Sequence, residues 1–347
     1  MKQPTILDVA DRAGVSKSLV SLVMREPDRV SDASRKAVLE AAEELGYRPN
    51  AVARSLVQRR TKVIGVIVSD LHNPFFADVA DGIEEAAFQN GYRAMLSSGF
   101  LDPKRERGSI DTMLELRVDG LIMLGSMMKV AKIEKVAVSL PVTLLGRHTR
   151  SKIVDSVGVD DSAGAQEAVD HLVAQGHRDI VHIHAGTAAG APRRRSGYEK
   201  AMTRHGLVDH IRLVRGEFTE GGGAIAMTEI LESGNLPTAV FAPNDFAALG
   251  AMEAIDAAGL DIPGDISLVG YDNLALAALP RIGLTTIGQP RADLGREAVH
   301  LVLERLDEKR ESARHVVVPP NLVVRATTGP PRGAVIGQGS IHTGAKA

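Results

Sequence analysis

The sequence predicts an all-α N-terminal helix-turn-helix head joined to an α/β core of two doubly wound parallel-sheet lobes. In residues 1–48, apolar residues recur at helical spacing on either side of small-residue turns. From residue 63 onward, β-branched runs alternate with helical patterns, which is typical of βαβ units and parallel sheets. We expect the core to occupy residues 63–330 and a flexible tail to occupy residues 331–347.

The head is predicted to contain three short helices. Thr5 can cap the first helix, and Gly14 then allows a sharp turn with positive φ. Ser16 can cap the second helix, and Ser31 can cap a third that ends at Gly46. Two short helices around a glycine-containing turn form the helix-turn-helix signature, whose second helix enters the major groove of DNA.

The outward side chains of this head are the candidates for DNA contacts. Lys17 and Ser18 are the best candidates for base reading, because lysine donates to guanine and serine donates or accepts. The alternative is that both are ordinary solvated residues on a small helical pair. The side chains expected to face DNA are Thr5, Ser16, Lys17, Ser18, Ser21, Leu22, Arg25 and Ser31.

Residues 49–62 read as a hinge helix and linker suited to the minor groove. From Arg48 to Lys62 there are five basic residues and no acidic one. A helix this short is marginal in isolation, so it should form only when it docks. Leu56 is an apolar side chain in a basic setting, which suits a wedge between base pairs. The alternative is an ordinary basic linker. The residues expected to contact DNA here are Asn50, Ala53 and Leu56.

Charge and composition narrow the class of protein further. Residues 1–62 hold twelve basic and eight acidic residues, a net charge of +4, whereas the remainder holds 29 basic and 35 acidic residues, a net charge of −6. Positive charge therefore lies where DNA phosphates would need it. The chain has no cysteine, no apolar run of about eighteen residues and no signal-peptide pattern. We expect a cytoplasmic, nucleoid-associated protein without a membrane partner.

The core patterns form two series, so two lobes with a cleft between them are predicted. Lobe 1 is expected over about residues 63–159 and 289–317, and lobe 2 over about residues 160–288 and 318–328. Residues 284–308 are expected to cross back to the first lobe. Such crossovers make a hinge, so a ligand bound in the cleft can shift the lobes.

The predicted ligand site lies where the strands end, because open α/β sheets bind ligands at the carboxyl ends of their strands. The chain has only eleven aromatic residues, and two of them are adjacent just after the first strand. Aromatics together with arginine, carboxylate and amide groups fit a polyol or a heterocycle. The side chains expected to bind it are Asp70, Phe75, Phe76, Arg147, Arg194, Phe218, Asn244 and Asp272.

Several of these positions have a structural alternative. We expect Asp245 to cap the helix that follows it rather than to touch a ligand. One of Phe75 and Phe76 is expected to belong to the core, and Phe218 is as well suited to the core as to the cleft.

These motifs resemble the lactose/galactose repressor (LacI/GalR) family over roughly residues 5–330. The matching segments are ILDVADRAGVS, GYRPNAVARSL, NPFFADV, VGVDDSAGA, FAPNDFAALGAMEAI, IPGDISLVGYDN and LTTIGQP. The resemblance implies a helix-turn-helix head, a hinge helix carrying Leu56, and a core like that of type I periplasmic sugar-binding proteins. It also implies that the strand-end residues named above, apart from Asp70, bind an effector.

The same resemblance implies partners and a function. We expect a sequence-specific DNA-binding regulator that acts as a homodimer on a pseudo-palindromic double-stranded operator. A small effector in the cleft, expected to be a carbohydrate, would control operator affinity, with no cofactor or metal. Repression is the family default, and activation remains open.

The sequence departs from the family pattern at four places. Leu22 stands where a polar base-reading residue is usual, and leucine can at most touch a thymine methyl. Gly146 replaces an aspartate, which removes one acceptor for sugar hydroxyls. The run Arg193–Arg195 suggests an anionic effector, unless the flanking arginines face solvent. His182 and His184 share one face of a strand, and a structural role is favoured over a metal site.

Rival classes fit the sequence less well. An α/β enzyme would need a nucleophile or cofactor motif, and no Walker loop, GxSxG elbow or GxGxxG turn after the first strand occurs. Asp70 and Asp272 could in principle form an acid/base pair. A binding protein without the DNA-reading head is incompatible with residues 1–62, and a DNA-binding protein without an effector would have an empty or collapsed cleft.

Overall fold

The computed structural model describes residues 4–48, 60–307 and 310–333. The chain divides into two compact units, Met1–Lys62 and Val63–Ala347, and each is described by itself. No helix among the described residues is long and apolar enough to cross a membrane.

The first unit contains three helices with the predicted caps. They are α1 (Ile6–Ala13), α2 (Lys17–Arg25) and α3 (Asp32–Leu45), with a 3₁₀ turn at Pro27–Arg29. Thr5 and Asp8 form a reciprocal capping box on α1, and Gly14 ends α1 in the left-handed conformation. The helices bury a small core of Val9, Ala10, Val20, Val23, Val38, Ala41 and Ala42.

The second unit begins with a six-stranded parallel sheet, which we call lobe 1. The strands are β1 (Val63–Val68), β2 (Arg93–Ser98), β3 (Gly120–Leu124), β4 (Val142–Leu145), β5 (Asp155–Val159) and β11 (His315–Val318). Their order in the sheet is β11-β5-β4-β3-β1-β2. The helices between them are α4 (Pro74–Gln89), α5 (Pro103–Glu115) and α6 (Val130–Ala137). Strand β5 was not anticipated as a separate strand.

Lobe 2 is built on a second six-stranded sheet. Its strands are β6 (Ile180–His184), β7 (Arg212–Arg215), β8 (Ala239–Phe241), β9 (Ser267–Asp272), β10 (Thr285–Gly288) and β12 (Asn321–Val323). Their order in the sheet is β12-β10-β9-β8-β6-β7. Its helices are α7 (Asp161–Ala174), α8 (Ala191–Arg204), α9 (Glu220–Glu232) and α10 (Asp245–Ala257). All strand pairs are parallel except β10 with β12, which is an antiparallel edge.

The chain crosses between the lobes at three places. It leaves lobe 1 after β5, and it returns through α11 (Arg291–Asp307). Strand β10 pairs within lobe 2, so the return begins after β10 and not at residue 284 as expected. Leu294 and Ala298 of α11 are buried in the core of lobe 1. The chain then crosses again between β11 and β12.

The predicted tail begins too early at residue 331. Arg332 donates hydrogen bonds to the main-chain oxygens of Leu236, Pro237 and Asp265, so residues up to 333 are fixed on lobe 2. Residues 334–347 lie outside the described part of the chain.

Candidate functional site

The first turn of α2 carries the side chains predicted to read DNA. The Ser16 hydroxyl accepts a hydrogen bond from the Leu19 amide at 3.2 Å and so caps the helix. Lys17 and Ser18 follow directly and are exposed. Because a helix N-terminus presents free N–H groups and positive partial charge, this turn is suited to a phosphate. The first unit thus offers a short exposed face with one cation and two hydroxyls.

The other predicted DNA contacts differ in accessibility. Ser21 and Leu22 are half-buried on α2, whereas Thr5 and Ser31 are exposed and cap α1 and α3. The hydroxyl of Ser31 accepts from the Ser34 amide at 3.3 Å. The side chains predicted to contact DNA that lie outside those described are Arg25, Asn50, Ala53 and Leu56.

A buried arginine organises the floor of the cleft between the lobes. The Nε of Arg194 donates to Asp161 at 2.9 Å, and one terminal nitrogen donates to the main-chain oxygen of Pro243 at 2.6 Å. Its other terminal nitrogen lies 3.8 Å from the Asp272 carboxylate. The guanidinium also lies 3.7 Å from the centroid of the Tyr271 ring. Two carboxylates therefore lie against the single positive charge, and the aromatic ring adds a cation–π contact.

Asp272 projects into this cleft from a strained strand end. Its φ of +118° lies in a region that non-glycine residues rarely adopt. The Gln289 amide donates to its carboxylate at 2.6 Å. Burial raises the pKa of Asp272 to about 6, although the nearby Arg194 charge and the Gln289 hydrogen bond oppose the rise. Asp272 is thus an acceptor with a fixed direction, set by neighbours on three segments.

Asn244, and not Asp245, caps α10. Asn244 caps α10 through the Ala247 amide at 2.9 Å, and its own amide donates to Phe218 O at 3.2 Å. The expectation that Asp245 caps the helix is wrong. Its buried carboxylate accepts from the Leu274 amide at 2.7 Å and from the Thr286 hydroxyl. Asn244 nevertheless lines the cleft, whereas Asp245 supports the backbone behind it.

The three predicted aromatic residues form part of the cleft wall. Phe75 is buried in the core of lobe 1 and contacts Phe76 edge to face, with ring centroids 5.4 Å apart. Phe76 is only half-buried and is the better placed of the pair to face a ligand. Phe218 belongs to no core cluster of the described residues and lies 5.4 Å from the Arg194 guanidinium. Of the two positions considered for Phe218, the structure thus places it in the cleft and not in a core.

Arg147 and Asp70 lie beside the inner part of the cleft rather than in it. Arg147 donates to the main-chain oxygens of Ser126 and Met128 at 3.2 and 2.5 Å, which holds the loop after β3. It lines a neighbouring cavity together with His148. Asp70 accepts from the His72 amide at 2.9 Å and lines an outer part of the cleft.

The three arginines of the run at 193–195 have different surroundings. Arg193 and Arg195 are exposed. Arg193 lies 3.7 Å from the Asp160 carboxylate, and Arg195 lies 2.8 Å from the Glu199 carboxylate. Arg194 faces the inner cleft, whereas Arg193 lines the neighbouring cavity between the lobes together with Arg147 and His148. The two side chains diverge because successive helical positions point about 100° apart. The inner cleft, where two carboxylates lie against Arg194, therefore gives no support to an anionic effector.

The two histidines of β6 have structural surroundings. His182 is buried and stacked on Phe241, with centroids 4.6 Å apart, and burial lowers its pKa to about 3. The Nδ1 of His184 accepts from the Gly186 amide. Across the described residues, no group of three or more potential ligands could hold a metal ion.

Two models of known protein families match the chain. The model described as bacterial regulatory proteins of the lacI family matches residues 5–50. The model described as periplasmic binding proteins and the sugar-binding domain of the LacI family matches residues 61–326. The chain belongs to the lacI family of bacterial regulatory proteins. It is a DNA-binding transcription regulator with an effector-binding core, as the resemblance of its motifs implied.

Full-length relatives support this assignment to the lacI family. The HTH-type transcriptional regulator DegA of Bacillus subtilis is 33% identical over 94% of this chain and 98% of its own length. The HTH-type transcriptional repressor PurR of Erwinia tasmaniensis is 36% identical over 92% of this chain and 96% of its own length. The repressor CytR of Escherichia coli is 34% identical over 93% and 96%. These relatives are regulators rather than enzymes.

Solved structures of lacI-family proteins have the same architecture. The lac repressor dimer bound to operator and an anti-inducer is 31% identical, with a TM-score of 0.85 over 94% of this chain and all of that one. A complex of the regulator CelR with cellobiose is 29% identical, with a TM-score of 0.70 over 93% of this chain and 99% of that one.

Three cleft residues were missed in the sequence. Asp161 and Gln289 line the inner cleft and bond to Arg194 and Asp272, respectively. Asn73 also lines it, and its side chain caps α4 through the Phe75 amide. Asp161 lies two residues beyond β5 and Gln289 directly follows β10, so the strand-end rule would have found both had these boundaries been known.

Proposed function

We propose that the protein is a homodimeric, cytoplasmic and nucleoid-associated repressor whose affinity for a pseudo-palindromic operator is controlled by a small carbohydrate in the interlobe cleft. One observation carries this proposal. One chain contains both a helix pair suited to reading DNA and a ligand cleft. In that cleft, the Asp161–Arg194–Asp272 cluster lies between aromatic side chains.

The DNA contacts are assigned to the first turn of α2. Ser16 and the free amides beside it would take a phosphate, and Lys17 and Ser18 would reach base edges. The half-buried Leu22 would contribute an apolar contact with a thymine methyl. Leu56 and its neighbours would supply the minor-groove contacts, as the sequence predicts.

The effector is proposed to be a neutral polyol. Because two carboxylates, Asp161 and Asp272, lie against the single guanidinium of Arg194, the inner cleft has no excess positive charge to attract an anion. Carboxylate, guanidinium and amide groups together can accept from and donate to vicinal hydroxyls. Phe76 and Phe218 offer faces for the C–H surface of a sugar ring.

The homodimer has physical support in the exposed apolar side chains of the core unit. On lobe 1, Met95 and Leu96 of the edge strand β2 are exposed. On lobe 2, Ile225 of α9 is 72% exposed, and Leu279 is also exposed. Large apolar side chains of this kind favour a buried interface over solvent. The lac repressor structure to which the chain is similar is a dimer bound to its operator.

Genome-wide footprinting with the purified protein, followed by affinity measurements on the recovered fragment, tests the proposal. We expect protection of a two-fold symmetric site and a change in affinity with at least one sugar. Lys17→Ala should weaken DNA binding and leave sugar binding unchanged. Asp272→Asn should weaken sugar binding and leave DNA binding in the absence of sugar unchanged. Lys36→Ala, on the exposed surface of α3, is the matched control for Lys17→Ala. The proposal would be overturned if the protein bound DNA without regard to sequence, or if no sugar changed its affinity for the recovered fragment.

A further inference from the structure

The loop that follows β3 forms part of the cleft wall of lobe 1. Gly125 lines the inner and the outer part of the cleft, and Met127 lines the outer part and the neighbouring cavity beside Arg147. Ser126 and Met128, on either side of Met127, are buried. The direction of the main chain over residues 125–128 therefore decides which atoms this wall presents to a ligand.

A buried carboxylate contacts this loop. Glu106, in the first turn of α5, is fully buried. One of its carboxylate oxygens accepts a hydrogen bond from the Ser126 hydroxyl at 2.8 Å, and the other accepts from the Met127 amide at 2.9 Å. Removing a carboxylate from water is unfavourable, and hydrogen bonds to the charged group offset the loss of hydration. Glu106 obtains both of these bonds from one loop, 20 and 21 residues further along the chain.

The peptide group between Ser126 and Met127 lies between opposite charges. Its N–H donates to Glu106, whereas its C=O accepts from Arg147 at 3.2 Å. Because the peptide is planar and its N–H and C=O point in opposite directions, each charge meets the end of the dipole that it attracts. A reversed peptide would direct its oxygen at the carboxylate and its N–H at the guanidinium. Glu106 and Arg147 therefore favour one orientation of the peptide.

Glu106 is itself held in place by the adjacent strand end. A methyl group on Gly99, which directly follows β2, would lie 2.6 Å from the Cγ of Glu106, so the side chain packs against the main chain there. The Gly99 amide donates to Val68 O of β1 at 2.8 Å. The Ser126 hydroxyl, which donates to Glu106, accepts in turn from the Met128 amide at 3.1 Å. The carboxylate thus links the ends of β1 and β2 to the loop after β3.

We propose that Glu106 is a positioning residue of the effector cleft, which fixes the Ser126–Met127 peptide and, through it, the loop wall and Arg147. This inference rests on the proposed function, in which the cleft binds the effector. Glu106 lines neither part of the cleft nor the neighbouring cavity, so its effect on a ligand passes through the loop. A methionine would fill similar space but would leave the Ser126 hydroxyl and the Met127 amide without an acceptor.

Hydrogen exchange of the full-length, ligand-free protein, measured by mass spectrometry, tests the positioning directly. Glu106→Met should speed exchange of residues 125–128 by about tenfold or more, and Glu106→Gln should do so less, because its amide keeps one acceptor oxygen. Glu115→Gln, at an exposed position of the same helix, is the matched control and should change nothing. Unchanged exchange in both Glu106 variants, or faster exchange spread evenly over lobe 1, would overturn the inference.

Coupling between the two charges provides a second test. Arg147→Gln should speed the same exchange, because the peptide then loses the partner of its oxygen. Adding Glu106→Gln to that variant should have little further effect, since the loss of one charge already frees the peptide. Effects that simply multiply would contradict a shared action of both side chains on one peptide.

The consequence for the cleft is measured with D-glucose, D-galactose, D-ribose and cellobiose as probes. A probe that changes the affinity of the wild type for the recovered DNA fragment should need about tenfold higher concentration with Glu106→Gln. Affinity without sugar should stay within about twofold. Equal half-effect concentrations would contradict the positioning role. If no probe acts on the wild type, that result counts against the proposed carbohydrate effector, and the exchange measurements still decide the role of Glu106.

Discussion

Arg291 links the two lobes through Asp78. Its Nε lies 2.7 Å from the Asp78 carboxylate on α4 of lobe 1. One terminal nitrogen donates to the main-chain oxygens of Asp272 and Asn273 in lobe 2, at 2.5 and 2.6 Å. Both of these residues have positive φ, a conformation that costs about 1–3 kcal/mol per residue. One guanidinium therefore stabilises the bend that positions the Asp272 carboxylate and also contacts the other lobe.

Asp78→Asn should reduce the effect of a sugar on operator affinity. The change removes the charge that Arg291 meets across the lobes but keeps the shape of the side chain. Because Asp78 is 42% exposed, we expect a loss of at most about 1 kcal/mol, or up to about fivefold in the ratio of affinities with and without sugar. Asp111→Asn, which removes an exposed ion pair with Arg107 within α5, is the control. An unchanged ratio would show that this contact does not couple the lobes.

Lobe 2 should lose stability as the pH rises from about 4 to 7. The pKa of Asp245 is raised from an ordinary value of 3.8 to about 7. Burial of the carboxyl is the larger cause, and repulsion from Asp272 is the second. The native state therefore holds a proton that the unfolded chain releases. This contribution is complete below pH 3.8 and disappears as the pH rises through 7, by on the order of 1 kcal/mol per pH unit.

Asp245→Asn isolates that contribution. The amide cannot ionise, and its oxygen can still accept from the Leu274 amide. Thermal unfolding of both proteins between pH 4.5 and 8 should show a steeper decline in the wild type than in the variant. Parallel curves would contradict the raised pKa of this carboxyl.

His182 should make the protein less stable as the pH falls below neutral, which is the opposite of the effect of Asp245. Burial lowers its pKa to about 3, whereas the unfolded chain takes up the proton near pH 6.5. Stability from the neutral ring is thus present above pH 6.5 and is lost as the pH falls toward 3. His182→Phe should therefore flatten the acid side of the stability profile relative to wild type. The half-buried His184 on the same strand provides the comparison variant, His184→Phe, for which a smaller change is expected.

Local sequence signals predicted the helices and the strands, except for β5, but they did not predict which side chains form the polar contacts of the site. At Thr5, Ser16 and Ser31 the capping hydroxyl accepts from a main-chain amide only three residues further along, so the sequence predicts these caps directly. Asn244 and Asp245 are equally good caps by type, and the extended backbone at Asn244 decides between them.

The remaining differences between the predicted and the observed contacts involve residues that are far apart in the sequence. The carboxylate of Asp245 bonds to Thr286, 41 residues away, and Arg147 bonds to carbonyls about 20 residues earlier. Such partners are set by strand order. The sequence predicted a series of parallel strands but not which of them would be neighbours.

Lys17→Ala should weaken operator binding and also reduce its salt dependence if the ammonium contacts a phosphate. Loss of one phosphate contact lowers the slope of log affinity against log salt by about 0.9. If Lys17 instead contacts a guanine, the slope should change little and discrimination against altered operators should fall by about 1–3 kcal/mol. Fluorescence anisotropy at several salt concentrations, with matched and mutated operators, separates these outcomes. Wild-type affinity and slope for the variant would exclude Lys17 from the DNA contacts.

Helices α9 and α10 of lobe 2 pack so closely that two glycines in one helix should respond oppositely to alanine. A methyl group at Gly223 would overlap the Ala247 carbonyl oxygen and lie 2.7 Å from its Cα, so Gly223→Ala should destabilise by about 1–3 kcal/mol. Gly221 has no neighbouring atom within 4 Å of an added methyl. Gly221→Ala should therefore stabilise by about 0.4–1 kcal/mol, because it restricts the unfolded chain. Denaturant unfolding of both variants measures the two signs, and similar midpoints would disprove the close approach of these helices.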